Sequence, residues 1–206
     1  MSDLDGSIGF MTSMGDQSDT FLGTLKKKGF IDHEIISFYT SRTGKQSYIK
    51  FGSMDLSAFQ ETPNLVGTTN STTWSLNMAS ASISGTSITM IDGMVLNFDP
   101  MLPYLYFPSI LWASYSEFII QVYGQGVTCN DFNGACMFNF ACNKIDSASA
   151  SHAFEIGVDD IYGNSATVSL NTFALLQDGA EFGDSASCYI PIFKNGQGNQ
   201  NVVTYG

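Results

Sequence analysis

One carboxylate sits where chemistry is conceivable. Asp99 ends the apolar run Met94-Val95-Leu96-Asn97-Phe98 and precedes a Pro-rich turn, Pro100-Met101-Leu102-Pro103, and a second apolar run. A carboxylate delivered there by a buried strand is partly desolvated, and desolvation raises its pKa. A cap for a helix or turn is the competing reading of the same residue. Asp159-Asp160 could touch a cation, but ahead of Tyr162-Gly163 the pair reads as a solvated turn. Other chemistries lack their residues. There is no G-x-S-x-G elbow and no phosphate-binding Walker loop, and Gly124-Gln125-Gly126 and Gly196-Gln197-Gly198 are isolated turn glycines. His33 and His152, far apart in sequence, do not make a triad.

The four cysteines, Cys129, Cys136, Cys142 and Cys188, all lie in the second half. No C-x-x-C occurs and neither histidine stands at zinc-ligand spacing from them, so neither a metal nor a cofactor is expected. An even count in a chain rich in Ser, Thr and Asn favours two disulfides and an oxidising compartment. Three pairings are open. Asn70-Ser71-Thr72 is a glycosylation sequon and agrees with that setting.

The elements that would position these groups are mostly strands. Asp5-Gly6-Ser7-Ile8-Gly9-Phe10 reads as a strand running into a turn. Residues 18–29 read as a short helix, capped by Ser18 or Asp19, with Phe21, Leu22 and Leu25 on one face and Gly29 as its stop. Ile35 to Tyr39 and Ser47 to Phe51 flank Arg42-Thr43-Gly44-Lys45 as a hairpin. From Trp74 the pattern alternates, with Trp74, Leu76 and Met78 pointing one way. Ile83 and Ile88 bracket a tight turn at Ser84-Gly85-Thr86. Met94 to Phe98 is a buried strand. Pro108 opens a helix whose stripe is Leu111, Tyr115, Phe118, Ile119 and Val122, and Gly124 ends it. The rest is short strands with Gly, Asn and Asp turns. The fold class is mostly β with a few short helices, as one domain.

Composition narrows the function. The 206 residues are 44% apolar, enough for an ordered core, and only 13% charged. The net charge of −11 repels phosphate backbones, so nucleic acid is not an expected partner. Lys26-Lys27-Lys28, the only basic cluster, reads as the solvated end of a helix. No apolar stretch is long enough to span a membrane, and Met1-Ser2-Asp3-Leu4-Asp5 has neither half of a signal peptide. A secreted-looking body without a leader implies a true start further upstream.

Several segments, in order, resemble the pepsin family of aspartic peptidases. Asp5 to Phe10 is similar to the family's Asp-Gly-Ile-Leu-Gly-Leu stretch late in the first lobe, and Phe21 to Ile31 to the helix that follows it. Ile36-Ser37-Phe38-Tyr39 and Tyr48 to Asp55 resemble the family's Phe-Ser-Phe-Tyr-Leu strand and its Gly-Gly-x-Asp partner. Trp74-Ser75-Leu76 falls where a Tyr-Trp strand begins the second lobe, and Cys142 to Gly157 resembles the Cys-x-x-Ile segment of that lobe. Asp99 to Pro108 resembles the second catalytic loop, Asp-Ser/Thr-Gly-Thr-Ser, with Asp99, the apolar run and Pro108 at matching spacing. Residues 100–103 depart from it. Pro100 and Pro103 remove two N–H donors, and Met101 and Leu102 supply no hydroxyl.

The resemblance implies a pepsin-like acid-protease β-barrel lobe, with residues 1–60 as the end of the first lobe and the inter-lobe strands, and 70–206 as a truncated C-terminal lobe. It implies Asp99 as catalytic, Cys142–Cys188 as the second-lobe disulfide and Cys129–Cys136 as the closure of a local loop. Partners would be a peptide or protein substrate and a missing N-terminal lobe. The setting would be secreted or lysosomal/vacuolar. The family's mechanism needs two aspartates sharing one proton. The first loop, Asp-Thr-Gly-Ser, does not occur in this sequence, so the isolated chain is expected to be inactive. A pseudo-peptidase kept as a peptide-binding module, or an unrelated secreted β-rich binding protein, are the other readings.

Overall fold

Alternating apolar and polar residues make residues Ser75–Ile83 a long strand, β3, the axis of the larger sheet. The structure, a computed structural model, describes residues 20–39, 47–58, 63–69, 73–99, 102, 104–130, 134–145, 153–171, 175–179, 187–196 and 200–205. The stretch at Asp5 to Phe10, the hairpin tip at Arg42 to Lys45 and the sequon at Asn70 lie outside them. The chain divides into two units, residues 1–64 with 70–73 and residues 65–69 with 74–206.

In the first unit, residues Phe21–Lys27 form helix α1. Its N-cap is Thr20, not Ser18 or Asp19: the Thr20 hydroxyl accepts the Gly23 N–H at 3.0 Å. Gly29, at φ +73°, ends it. Lys26 pairs with Glu34 at 3.3 Å. Strands β1 (Ile36–Tyr39) and β2 (Tyr48–Phe51) form the expected antiparallel hairpin, with Tyr39 opposite Tyr48 and their rings stacked 5.1 Å apart. Phe51 meets Phe21 edge-on at 5.4 Å.

In the second unit, β3 pairs antiparallel with β5 (Val95–Phe98) on one side and β9 (Ala153–Asp159) on the other. The expected shared face of β3 holds at Met78 and Leu76, which pack in the core, but not at Trp74. Trp74 is exposed and Leu76 only half-buried, while Ser75, Met78, Ala81 and Ile83 are buried. A register shift between Met78 and Ser80 inserts one extra residue, and this bulge carries the inward face from Met78 on to Ala81 and Ile83. Opposite it, Gly157 lies close against Ser80, whose hydroxyl would have to turn aside for a Cβ there. Ser84 and Gly85, both at positive φ, turn β3 back onto β4 (Thr86–Ser87).

Beyond β9 lies β10 (Ser165–Asn171). Beyond β5 lie β14 (Val202–Tyr205), β6 (Leu105–Phe107) and β13 (Ile192–Lys194), giving the order β10-β9-β3-β5-β14-β6-β13. A smaller sheet runs β11 (Gln177–Asp178), β12 (Cys188–Ile190), β8 (Cys136–Phe138), β7 (Val127–Cys129). Helix α2 (Ser109–Tyr123) starts after Pro108, which stands at its N-cap, and ends at Gly124. Leu111, Tyr115 and Ile119 are fully buried, as the stripe predicted, and Trp112 joins them; Phe118 and Val122 stay half-buried. Phe107 connects helix and sheet, edge-on to Tyr115 at 5.5 Å and against Phe154 at 4.6 Å. Cys129 is bonded to Cys136, its direct opposite across β7 and β8, and Cys142 to Cys188. No helix among the described residues is long and apolar enough to cross a membrane, which says nothing of a β-barrel.

Candidate active site

Asp99 is the first residue beyond β5, and its surroundings follow from how β5, β14 and β6 are stacked. β14 runs parallel to β5, with Tyr205 opposite Phe98, and antiparallel to β6, with Tyr205 opposite Leu105. The chain therefore leaves on β5, turns over the end of β14, and returns on β6. β14, though a hundred residues later, fills the slot between them. The apolar residues explain the stacking: Leu96, Val203 and Phe107 are each fully buried on the shared inner face.

Two backbone bonds fix the turn. The Asp99 N–H donates to the Tyr205 carbonyl at 2.8 Å, and the Leu102 N–H donates to the Asp99 carbonyl at 3.1 Å. The Phe98 and Tyr205 rings pack 5.7 Å apart just below. Asp99 itself is half-buried. Its position at the end of an apolar strand is where the sequence placed it. Pro100, Met101 and Pro103 lie outside the described residues. The part of the site not read from the sequence is β14: Val202-Val203-Thr204-Tyr205 is a run of β-branched and aromatic residues, and that composition was the available signal.

The other carboxylate singled out in the sequence is a turn anchor. Asp160 joins β9 to β10. One of its oxygens accepts the Tyr162 and Asn164 N–H groups at 2.8 and 2.9 Å. The other accepts the Asn164 side-chain amide and the Gly67 N–H, both at 2.9 Å. The Asn164 amide and the Gly67 N–H stabilise the charged form and hold its pKa at about 2. With four donors around it, the group is saturated by its own chain and has no need of a cation.

In the first unit Asp55, the Asp of Gly52-Ser53-Met54-Asp55, accepts the Ser57 hydroxyl at 2.6 Å, the Ser57 N–H at 3.1 Å and the Tyr48 hydroxyl at 2.8 Å. The Ser57 and Tyr48 bonds pull its pKa below the usual carboxylate value, and the same bond raises that of Tyr48. Asp55 thus serves to tie strand β2 to the turn after it.

No curated protein matches the chain. A family description, eukaryotic aspartyl protease, matches residues 2–204. With nearly every residue inside that match, the chain belongs to the eukaryotic aspartyl protease family.

Proposed function

We propose that this chain is part of a pepsin-like aspartic endopeptidase, contributes one carboxylate, Asp99, to a two-aspartate centre, and by itself does not cleave peptides. The observation that carries the reading is the Asp99 turn, held over the end of β14 by its own backbone N–H at 2.8 Å. That bond fixes the backbone from which the carboxylate projects.

The chemistry needs two carboxylates close enough that only one ionises. The ionised one takes a proton from water, and the protonated one polarises the scissile carbonyl. No Asp-Thr-Gly or Asp-Ser-Gly triplet occurs anywhere in the 206 residues, so the second carboxylate has to come from another lobe. Residues 1–60 then belong to the end of that first lobe and the inter-lobe strands, and 70–206 to the lobe carrying Asp99. The two disulfides and the family's habits agree with a secreted or lysosomal/vacuolar setting.

A second reading has its own support. Pro100-Met101-Leu102-Pro103 supplies neither the glycine nor the hydroxyls that orient the carboxylate in the family. In a pseudo-peptidase, the lobe would be retained to bind peptides rather than cut them. The test is incubation of the purified chain with a denatured protein substrate at acid pH. No cleavage is expected. Pepstatin-sensitive cleavage that disappears in Asp99→Ala would overturn the proposal. Peptide binding without cleavage, surviving when a first lobe carrying Asp-Thr-Gly is added, selects the pseudo-peptidase.

A further inference from the structure

We propose that Asn195 is a positioning residue for Asp99, because its side-chain amide supplies the hydrogen bond that Pro108 cannot. The role rests on the reading of Asp99 as the site carboxylate; the bonding stands apart from it.

The ladder between β14 and β6 sets which groups meet. Thr204 faces Tyr106 and Tyr205 faces Leu105. Continuing this antiparallel register by two residues brings Val202 opposite Pro108. Carbonyls alternate in direction along a strand. The Asn201 and Tyr205 carbonyls accept from Val95 and Asp99 on the β5 side, so the Val202 carbonyl points to the β6 side. An ordinary residue at 108 would present an N–H to it. Proline has none, and β6 ends at Phe107.

Asn195 closes the gap. It stands just past β13, half-buried. Its backbone N–H donates to the Phe107 carbonyl at 2.6 Å, and its Nδ2 donates to the Val202 carbonyl at 3.1 Å. One residue thus ties the end of β6 to the start of β14. β14 has only four residues, and its other end, Tyr205, holds the Asp99 N–H. A bond that keeps β14 seated at Val202 therefore keeps the Asp99 turn at its height over the sheet. The proline that starts α2 is tolerated because a side chain replaces the strand donor it lacks.

Asn195→Asp tests this, since it keeps the shape and replaces the donor with an acceptor that repels the Val202 carbonyl. At pH 7, hydrogen exchange of the Asp99 amide should be about tenfold faster than in the unaltered chain at the same pH. Amides of β9 should be unchanged. At pH 2.5 the new carboxyl is protonated and its O–H can donate, so the excess should disappear. Asn195→Ala removes the donor without adding charge and should show the same local opening at pH 7 with no recovery in acid. An unaffected Asp99 amide, an equal acceleration in β9, or no recovery for Asn195→Asp in acid would each overturn the assignment. Because exchange needs no catalysis, a failure of Asp99 as a catalytic group would leave these outcomes untouched.

Discussion

A single residue can be located by its neighbours in sequence, or only by its neighbours in space, and this chain contains both kinds. Asp99 was legible, because an apolar strand followed by a Pro-rich turn announces where its carboxylate emerges. Its backbone partner Tyr205 was not, since nothing local connects positions more than a hundred residues apart. Asp160 was legible as a turn residue, but not its bond to Gly67, 93 positions earlier. That bond has a pH signature. Its folded pKa of about 2 lies below the ordinary 3.8. The clasp therefore favours folding fully above 3.8 and is lost as pH falls through about 2, so it persists across the acid range in which aspartic peptidases work. NMR titration of the Asp160 carboxyl should give a midpoint near 2. Asn164→Ala removes the largest stabilising bond, and the midpoint should move up toward 3.8. An unmoved midpoint would mean that the Asn164 amide does not hold the charge. The group is exposed enough that the effect belongs to the titration rather than to overall stability.

Elements were read well where one periodicity dominates and poorly where a partner strand decides. Helix α2 has its stripe, its proline and its terminal glycine in the right places. In β3 the bulge that carries the inward face from Met78 on to Ala81 and Ile83 answers to β9, where Gly157 stands opposite Ser80, and nothing in the local pattern announces it. Gly134 is another element-scale requirement. It lies at φ +68°, its carbonyl accepts the Lys194 N–H at 2.9 Å, and its own N–H donates to Asn130 at 2.7 Å. A Cβ there would sit 2.9 Å from the Lys194 nitrogen. Backbone atoms of β13 cannot step aside as a flexible side chain could. Gly134→Ala should therefore cost about 1–3 kcal/mol, from the left-handed conformation and the clash together. Urea unfolding measures it. A cost indistinguishable from that of Gly163→Ala, which shares the positive φ but has open space around it, would assign the whole effect to φ and none to the contact with β13.

At the scale of the molecule, a low-charge, acidic, β-rich chain needs cross-links that survive where carboxylates titrate, and disulfides do so because they carry no proton in that range. The two bonds are unequal. Cys129–Cys136 closes 7 residues between strands already paired in register, so it restrains the unfolded chain least. Cys142–Cys188 closes 46 residues and joins the segment after β8 to β12. Loop-closure entropy gives about 2 kcal/mol for the first and about 4 kcal/mol for the second. The longer bridge also bears on the site. β12 passes through one residue, Pro191, into β13, the Pro191 carbonyl accepts the Leu105 N–H at 3.2 Å, and β13 lies beside β6 on the return from Asp99. Replacing Cys142 and Cys188 together by Ala should lower the unfolding free energy in urea by roughly twice as much as replacing Cys129 and Cys136. It should also speed exchange of the Leu105 amide, while the shorter pair's loss leaves that amide as it was. Equal losses would show that strain or residual structure in the unfolded chain, rather than loop length, sets the contribution. A Leu105 amide indifferent to both would confine the long bridge to the smaller sheet and remove it from the support of Asp99.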